Sequence, residues 1–504
     1  MAIKVQGTEV ISNSRDLKNI ASLDSTTANT VRSALPGLIL NATASGTIND
    51  GDLVVLNSDG TVSALSGVPE TTGTPVVFQS AGISYLASTF DSNSNKVVIA
   101  YRNSNGYGTA VVGDVSGTSI TFGTPVTFEA SSTVAIDITF DSNSNKVVIV
   151  FKHTSGDLRA IVGTVSGTSI SFGSSVIVDS DTASNLYAVA IGFDSNSNKI
   201  VVSYNFYSTS KSYAIVGTVS GTSISFGTRV FIADGISSSI GITFDSNSNK
   251  VVLLLQFTSG GIVYIYTLSG TTITLESSTY LSLTSTGNSR VTFASNSNNI
   301  IMAYIRSLNE YSLSPAITVG SIINNKLVLG GANFLGYAQG TTESRAESLS
   351  MAFDSVSNKF ILFSRWTNVS GLGVLSTGKI NGTSVIFDTP KIIGTVANTS
   401  VIFDSNSDKT VLIYSDTSNS LYGTAVVMQK ESITGTYIGI SDGNYLNSET
   451  ATLKVAGAIS DAHSSLITGT KYYANYDGTL SNKPNSLDVF VGTAISSTEI
   501  LVKG

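Results

Sequence analysis

The stretch that decides the fold is FDSNSNKVVIAY at residues 90–101, because its first seven letters recur, with small changes, six more times along the 504-residue chain. The repeated phrase always begins with Phe, and these residues are Phe90, Phe140, Phe193, Phe244, Phe293, Phe353 and Phe403. Successive phenylalanines are 50, 53, 51, 49, 60 and 50 residues apart. A period of about fifty residues suits one four-stranded sheet, so the spacing predicts one sheet per repeat.

Each repeat contains four short β-prone runs separated by turn residues. In the second repeat these runs are 135–140, 147–151, 159–165 and 169–178, here called strands A, B, C and D. Apolar residues roughly alternate in them with small or polar residues, and the repeat lacks a helix-length amphipathic period. Each repeat is therefore predicted to be an antiparallel meander, which must stack on its neighbours to bury both of its faces.

The two ends of the repeat region decide between a closed ring and an open row. The seventh repeat supplies strands A, B and C, but it then continues as QKE at 429–431, without the phrase that makes strand D elsewhere. That phrase stands before the first repeat, as GTPVVF at 73–78, and it matches GTPVTF at 123–128. A strand supplied from the N-terminal side completes the last sheet and removes the free edges of the ring. The chain is therefore predicted to be all-β, with a seven-bladed β-propeller at residues 71–428.

Alternate connections of an antiparallel meander fall on opposite faces of such a ring. The A-to-B turn is the near-constant DSNSNK and the C-to-D turn is the near-constant VSGTS, so these share one face, the turn face. The B-to-C and D-to-A connections share the other, the loop face, and they differ between repeats, as at 205–212, 305–315 and 333–347. Variable loops on a repeated scaffold commonly carry function, so binding is predicted on the loop face.

The chain outside the propeller divides into three segments. Residues 1–36 are predicted to be an attachment or oligomerisation segment that opens with a short strand pair. Residues 37–70 and 429–504 contain further β phrases, some with the Asp-Gly dipeptides of hairpin turns. We hypothesise that these last two segments form one small β module into which the propeller is inserted.

Three phrases in these segments carry a resemblance to a known family. They are VQGTEVISNSRDLKNIASLDSTT at 5–27, ASGTINDGDLVVLNSDGTV at 44–62 and GTKYYANYDGTLSNKPNSLDVFVGTAISSTEILVKG at 469–504. The first resembles bacteriophage tail-fibre proteins, especially those of marine phages, and the other two resemble paired modules of phage virion proteins. The resemblance implies a homotrimer or other homo-oligomer on the phage particle, made in the host cytoplasm without a signal peptide. It also implies attachment to other virion proteins through the N-terminal segment, and recognition of the host cell surface.

The composition excludes several other classes of function. The chain has no Cys, which rules out disulfides, Cys-ligated zinc and a thiol nucleophile, and its two His, at 153 and 463, are too far apart in sequence for a two-His metal motif. Charged residues make up 12% and the net charge is -7, which does not suit nucleic-acid binding. No apolar run approaches the ~20 residues of a membrane helix, and no signal peptide is recognisable. We therefore expect no cofactor, no metal, no nucleic acid and no membrane insertion.

The repeated turn has one feature of a metal site. Asp91, Asn93 and Asn95 follow the D-x-N-x-N spacing of a calcium loop. However, the sixth position, which needs Gly, holds Lys96, and the twelfth, which needs Glu, holds Arg102. The phrase is therefore interpreted as a turn in which the Asp side chain caps backbone N–H groups.

The aromatic residues divide into two sets. One set recurs in register, as the repeated phenylalanines and the Tyr or Phe eleven residues later, and it is predicted to form the core between blades. The other set breaks this register in or beside variable loops, where exposed rings would suit stacking on sugars. The alternative for each of these rings is packing between loops or against a neighbouring subunit. Together with nearby polar residues, the candidate ligand-binding set is Tyr107, His153, Phe206, Tyr207, Arg306, Tyr311, Arg365 and Trp366.

These patterns favour a non-enzymatic tail fibre or similar appendage whose loop face binds a host polysaccharide or outer-membrane receptor. Two alternatives stay open, namely a capsid-bound head fibre or decoration protein, and a polysaccharide depolymerase. A depolymerase would need two carboxylates facing each other across a sugar, about 5–10 Å apart. The carboxylates outside the repeated turns that could meet on the loop face are Asp137, Asp179, Asp181, Glu310, Glu343 and Glu347.

Overall fold

The computed structural model describes residues 39–179, 186–257, 260–281, 288–309, 312–335, 346–367, 370–485 and 487–503, together with the backbone of two short strands near the N-terminus. Those two strands, Ile3–Val5 and Thr8–Ile11, pair in antiparallel fashion, as predicted. The rest of segment 1–36 lies outside the described residues. The chain separates into two units, one formed by Thr71–Gln429 and the other by the two segments that flank it.

The unit Thr71–Gln429 is a β-propeller of seven antiparallel blades, each with strand A innermost and strand D outermost. In blades 1 to 3, strand D consists of two short parts. Blade 1 contains, in the order A to D, Ser84–Asp91, Lys96–Arg102, Tyr107–Ser116, and Ser119–Phe122 followed by Val126–Ser132. Blade 2 contains Val134–Asp141, Lys146–Lys152, Leu158–Ser166, and Ser169–Phe172 followed by Val176–Asp179, and blade 3 contains Leu186–Asp194, Lys199–Phe206, Lys211–Ser220, and Ser223–Phe226 followed by Val230–Asp234.

The strands of blades 4 and 5 are Ser239–Asp245, Lys250–Phe257, Gly260–Ser269 and Thr272–Leu281; and Ser289–Ala294, Asn299–Asn309, Ser312–Ile323 and Lys326–Phe334. Blade 6 contains Ala346–Asp354, Lys359–Trp366, Leu372–Asn381 and Ser384–Phe387, and blade 7 contains Lys409–Asp416 and Tyr422–Gln429. One long strand, Lys391–Asp404, serves both of these blades, because its first part pairs with strand C of blade 6 and its second part is strand A of blade 7. A 3-10 turn, Thr417–Asn419, follows strand B of blade 7.

The predicted latch is confirmed by the pairing of the last blade. Strand C of blade 7 pairs with the N-terminal strand Val76–Gly82, with Ala425 opposite Val76 and Thr424 opposite Val77. The short strand Thr71–Thr72 continues the same edge opposite Met428 and Gln429. The outermost strand of blade 7 is therefore supplied from before blade 1.

The ring is closed on its inner side as well. Each strand A contacts strand A of the next blade, and strand A of blade 7 contacts strand A of blade 1. At this last junction the hydroxyls of Ser88 and Ser400 are hydrogen-bonded at 2.7 Å. The seven inner strands therefore surround a central channel, and neither end of the row of blades is left open.

The core lies between neighbouring blades. At the junction of blades 7 and 1, Tyr101, Val97 and Ile99 of strand B in blade 1 form one cluster with Val411 and Ile413 of strand B in blade 7. The remaining tyrosines and phenylalanine eleven residues after the repeated Phe are also buried, namely Phe151, Tyr204, Tyr304 and Tyr414. Burial of such large side chains contributes about 1.5–3 kcal/mol each, so the stacking of blades carries much of the stability.

The glycine of the FGTP phrase explains why strand D is split in two. A side chain at Gly123 would overlap the carbonyl oxygen of Thr168, which lies in the C-to-D turn of blade 2. The same close approach joins Gly73 of the latch strand to Thr118 in blade 1. These outer strands therefore bend at a residue without a Cβ, so that the next blade can pack against the backbone there.

The flanking unit combines strands from both sides of the propeller. One sheet has the strand order Ile39–Thr43, Thr450–Lys454, Thr436–Ser441, Leu53–Leu56 and Val62–Ala64. A second has the order Ile459–Ser460, Ile500–Val502, Phe490–Ala494, Lys471–Ala474 and Leu480–Ser481, and Gly67–Val68 pairs with Ser432–Ile433. Leu53, Val55, Ile440, Val491 and Val502 share one buried cluster. Among the described residues, no helix is long and apolar enough to cross a membrane.

Candidate functional site

The turn face is occupied by hydrogen bonds of the chain with itself. In the first blade, Asp91 Oδ1 accepts the backbone N–H groups of Asn93 and Ser94, each at 3.0 Å, and Oδ2 accepts the Ser94 hydroxyl at 2.5 Å. Asn95 follows with a φ of 56°, the left-handed conformation that Asn tolerates. The same three bonds to carboxylate recur at Asp141, Asp194, Asp245, Asp354 and Asp404. The interpretation as a capped turn is confirmed.

Neighbouring turns are also linked to one another. The side-chain amide of Asn93 donates to the carbonyl oxygen of Ser142 in the next blade at 3.4 Å, and Asn406 of blade 7 donates to Ser92 of blade 1 at 3.3 Å. In the part of the chain that is described, no group of three or more acidic or histidine side chains is placed to hold a metal ion. The turn face is therefore a self-satisfied structural surface.

Every strand A begins at the loop face. The first residues of these strands therefore surround the opening of the central channel on that face. Two adjoining cavities of about 240 and 290 Å³ occupy the channel, and strand A residues of all seven blades contribute to their walls. The smaller, which contains Asp137, is here called the inner cavity, and the larger, which contains Tyr85, is called the mouth. Residues that line both include Leu86, Val189 and Arg290. Most lining side chains are small or apolar, and the charged ones are Asp137, in the inner cavity, and Arg290, in both.

Asp137 is held by the backbone of two blades. Its Oδ1 accepts the N–H of Ile138 at 3.0 Å, and its Oδ2 accepts the N–H of Ile191 in blade 3 at 3.0 Å. Burial raises the pKa of Asp137 to about 6, although these two bonds and the charge of Arg290 oppose the rise. One role of this carboxylate is thus to join blades 2 and 3.

Arg290 lies at the corresponding position of blade 5. Its Nη1 donates to the carbonyl oxygen of Ser289 at 2.8 Å and lies 3.5 Å from the Ser239 hydroxyl of blade 4. Burial lowers the pKa of Arg290, and the charge of Asp137 opposes that change. The channel therefore contains a cation and an anion, and the charge of each affects the pKa of the other.

Tyrosines stand at the mouth of the channel. Tyr85 and Tyr187 line the mouth, and half of the Tyr187 surface is exposed (50%). Tyr207, in the B-to-C turn of the same blade, is 54% exposed, and its ring centroid is 5.8 Å from that of Tyr187, with the rings tilted by 37°. The Arg102 guanidinium lies 6.0 Å from the centre of the Tyr85 ring. Aromatic surface is therefore available to a ligand here.

Side-chain amides and hydroxyls complete the mouth. The lining includes Asn288, Asn398, Ser238 and Ser348. The Asn288 amide donates to the carbonyl oxygen of Glu347, and the Asn398 amide donates to the Ser415 hydroxyl at 2.9 Å, so both side chains are held in place. Fixed polar groups beside exposed rings are the combination that orients a hydroxyl-rich ligand.

The predictions for Phe206 and Trp366 as exposed rings are wrong. Phe206 is 1% exposed and packs edge-on against Tyr204 at 5.4 Å. Trp366 is 2% exposed in the cluster between blades 5 and 6, and its indole N–H donates to the Ser364 hydroxyl at 2.9 Å. Both rings end strand B on the side that faces the neighbouring blade, so no ligand can stack on them without opening the core.

The other candidates are placed apart from one another. The Arg306 guanidinium lies 5.1 Å from the Phe334 ring centre, and Arg365 forms an ion pair with Glu347 at 3.2 Å. His153 Nδ1 is hydrogen-bonded to Ser155 at 2.6 Å within its own turn. Tyr107, at the start of a strand C, is just over a third exposed, and Tyr311 lies outside the described residues. Of the predicted set, only Tyr207 meets the tyrosines of the channel mouth in a described ring contact.

The carboxylates considered for a depolymerase have separate partners. Asp179 Oδ2 accepts from Arg229 and from the Tyr204 hydroxyl, both at 2.6 Å. Glu347 pairs with Arg365, and Asp137 bonds the backbone inside the channel. The remaining three, Asp181, Glu310 and Glu343, lie outside the described residues.

No family model and no curated protein matches the chain. Solved structures do match it, and two of them are described as propellers. The Dos1 propeller is 10% identical with a TM-score of 0.42, and the match covers 75% of this chain and 81% of that one. The β-propeller domain of Cps50 (Swd1) from Myceliophteria thermophila is 8% identical with a TM-score of 0.44, with coverage of 71% and 99%. Hydrazine synthase of Kuenenia stuttgartiensis is 9% identical with a TM-score of 0.46, with coverage of 69% and 95%. At such identities the likeness concerns the fold alone.

Proposed function

We propose that this protein is a non-enzymatic virion protein of a phage appendage, and that it binds a glycan of the host surface at the mouth of the propeller channel. The observation that carries the binding part of the proposal is the pair of half-exposed tyrosines, Tyr187 and Tyr207, beside the polar lining of the mouth. Rings of this kind offer flat apolar faces to sugars, while neighbouring amides and hydroxyls bond the sugar hydroxyls.

The placement on a phage particle is supported by the phrases of the flanking segments. They favour a tail fibre or similar appendage, attached to other virion proteins through residues 1–36 and assembled as a homotrimer or other homo-oligomer. Labelling the protein on intact particles distinguishes a position on the tail from a position on the capsid. A signal at the tail supports the appendage, and a signal over the whole capsid would instead identify a head fibre or decoration protein.

Glycan binding is tested with Tyr187→Ala, Tyr207→Ala and the double substitution. Each single change should weaken binding to isolated host envelope glycans about tenfold, because a stacked ring contributes about 1–2 kcal/mol, and the double change should weaken it further. Biolayer interferometry gives the affinities, and thermal melting should be unchanged because both rings are exposed.

Tyr280→Ala is the matched control, since Tyr280 is an exposed tyrosine on the outermost strand of blade 4. It should leave glycan binding unchanged. Equal binding by the wild type and the double variant would remove the channel mouth as the binding site. Release of shorter glycan products during incubation would contradict the non-enzymatic part of the proposal and favour a depolymerase.

A further inference from the structure

One position of strand A faces the channel, and the residue type found there differs between blades. Hydrogen bonds between blades explain only part of this variation. This position lies three residues before the repeated Phe, and its occupants in blades 1 to 7 are Ala87, Asp137, Ala190, Gly241, Arg290, Ser350 and Ser400. Small residues suit it, because seven side chains converge on the channel axis. Ser350, Ser400 and Asp137 each bond the adjoining blade, so their polar groups have a structural role.

Arg290 also contacts the adjoining blade, at the Ser239 hydroxyl, but it does so with only one of its three guanidinium nitrogens. Both of the hydrogen bonds that it donates to described residues come from Nη1, and one of them goes to the carbonyl oxygen of the preceding residue, Ser289. Among the described residues, no hydrogen bond reaches Nη2 or Nε, and no carboxylate lies within 4 Å of the guanidinium. Asp137 faces the same cavity, but both of its carboxylate oxygens accept hydrogen bonds from backbone N–H groups.

A guanidinium in this setting is suited to an oxyanion. Its planar donors form paired bonds with carboxylate, sulfate or phosphate groups, and such charge-assisted bonds are stronger than neutral ones. Arg290 lines the inner cavity, and it also lines the mouth, together with Tyr187 and Asn288. An anionic group on a sugar that enters from the mouth tyrosines would therefore share this space with the guanidinium.

We propose that Arg290 forms an anion-binding subsite in the channel, which selects acidic glycans whose terminal sugar carries a carboxylate or a sulfate. This inference rests on the proposed glycan binding at the channel mouth and adds the class of sugar. Two adjoining cavities of about 240 and 290 Å³ provide room for the end of a glycan.

The test compares matched sugar pairs on the full-length protein at pH 7.5. Saturation-transfer NMR measures the affinities for methyl glucuronide against methyl glucoside, and for galactose 6-sulfate against galactose. The wild type should prefer the acidic member of at least one pair about tenfold or more, which also identifies the anion. Arg290→Gln should abolish that preference, and Arg290→Lys should restore part of it, because charge without the planar fork is retained.

A second variant keeps the inference testable if Arg290→Gln does not fold. Asp137→Asn removes the negative charge that faces the same cavity, so it should increase the preference for the acidic sugar several-fold. Equal binding of the acidic and neutral sugars by the wild type would overturn the inference, and so would an unchanged preference in Arg290→Gln or, where that variant does not fold, in Asp137→Asn.

The two proposals fail in distinguishable ways. If the wild type binds acidic and neutral sugars alike while Tyr187→Ala still weakens host-glycan binding, the anion subsite is wrong and the binding site stands. If no sugar binds and Tyr187→Ala leaves host-glycan binding unchanged, both proposals are wrong.

Discussion

The turn face and the loop face of the propeller are built from the same seven repeats, yet they treat their polar side chains in opposite ways. On the turn face, the repeated Asp accepts three bonds from its own turn, and Asn side chains link one turn to the next. On the loop face, tyrosines, amides and Arg290 surround an open channel mouth. Side chains that bond one another stabilise the ring, whereas exposed rings and side chains that line the channel can contact a ligand.

Strand A of blade 2 shows the contrast within one strand. Asp141, at its end on the turn face, accepts bonds from its own turn alone among the residues that the structure describes. Asp137, four residues earlier, lies in the channel, where burial raises its pKa to about 6. The same residue type therefore serves as a turn cap at one end of the strand and as a titratable group of the channel nearer the other.

The largest expected effect comes from opening the latch, because both faces depend on a closed ring. Phe78→Ala should lower the free energy of unfolding by about 3–5 kcal/mol, the usual cost of removing a buried Phe. Phe78 packs between Tyr101 and Phe122, with ring centroids 5.4 and 5.3 Å away. Urea unfolding followed by tyrosine fluorescence measures the change.

The matched control for the latch is Phe231→Ala, an exposed ring on the outer strand of blade 3. It should cost far less, since exposed rings bury little surface. A similar loss in the two variants would mean that the latch strand contributes no more than any outer strand.

An intermediate effect is expected from the titration of Asp137. Its raised pKa in the folded state means that the protonated form is favoured there, so the resulting stability is present at low pH and is lost as the pH rises through about 6. Relative to Asp137→Asn, the wild type should lose about 2 kcal/mol of unfolding free energy between pH 4 and pH 8.

Denaturant unfolding of both proteins across this pH range gives the difference directly. The hydrogen bond that Asn cannot reproduce shifts the two curves by a constant amount and does not alter the slope. Parallel curves would show that the pKa of Asp137 is not raised in the folded state.

The smallest expected effect is a gain of stability on the turn face of blade 5. There Ala294 replaces the repeated Asp, and the buried hydroxyl of Ser297 has no hydrogen-bond partner among the described residues. Ala294→Asp should supply the missing acceptor and raise the free energy of unfolding by about 1 kcal/mol, the net contribution of a typical bond of this kind. Differential scanning calorimetry detects the accompanying rise in melting temperature.

Asp141→Ala is the reverse control, and it should lower the melting temperature because it leaves three donors of the turn without their acceptor. Neither change should affect glycan binding. An unchanged or lower melting temperature for Ala294→Asp would show that the turn is stabilised chiefly by its backbone.

The propeller itself could be predicted from the sequence, because its repeats differ little and their turns are explicit. In the second repeat, strands A, B and C begin and end within one residue of the predicted limits. The latch could also be predicted, since GTPVVF at 73–78 has no other strand C to pair with. Strand D is the exception, because the bend at Gly173 arises from the approach of blade 3, which the local sequence does not contain.

The sequence itself explains why Phe206 and Trp366 are buried rather than exposed. Phe206 and Trp366 each stand thirteen residues after a repeated Phe, as does Phe257, and thirteen differs from eleven by one full β period. They therefore lie on the same side of strand B as the core tyrosines. Tyr207, one residue further, begins the B-to-C turn and is exposed.

The channel residues could be recognised only after the fold was known. Asp137 and Arg290 are unremarkable in the linear sequence, and they meet because strand A is innermost in every blade. Aligning the seven repeats brings them to one position, but their shared cavity and mutual electrostatic effect depend on the curvature of the ring. Tyr187 was missed in the same way, since it stands in a strand rather than in a variable loop.

The latch also imposes an order of events on a newly made chain. The ribosome releases the strand Val76–Gly82 before any blade is complete, whereas its partner Tyr422–Gln429 emerges only after six blades have been translated. During this interval the early strand has an unpaired edge, the kind of surface that invites pairing between chains. The segment VVFQSAG contains no charged side chain to blunt this edge, and its bulges are seen in the paired state, opposite Gly423. Nascent chains on neighbouring ribosomes of one message are therefore exposed to mispairing until the last blade captures its strand.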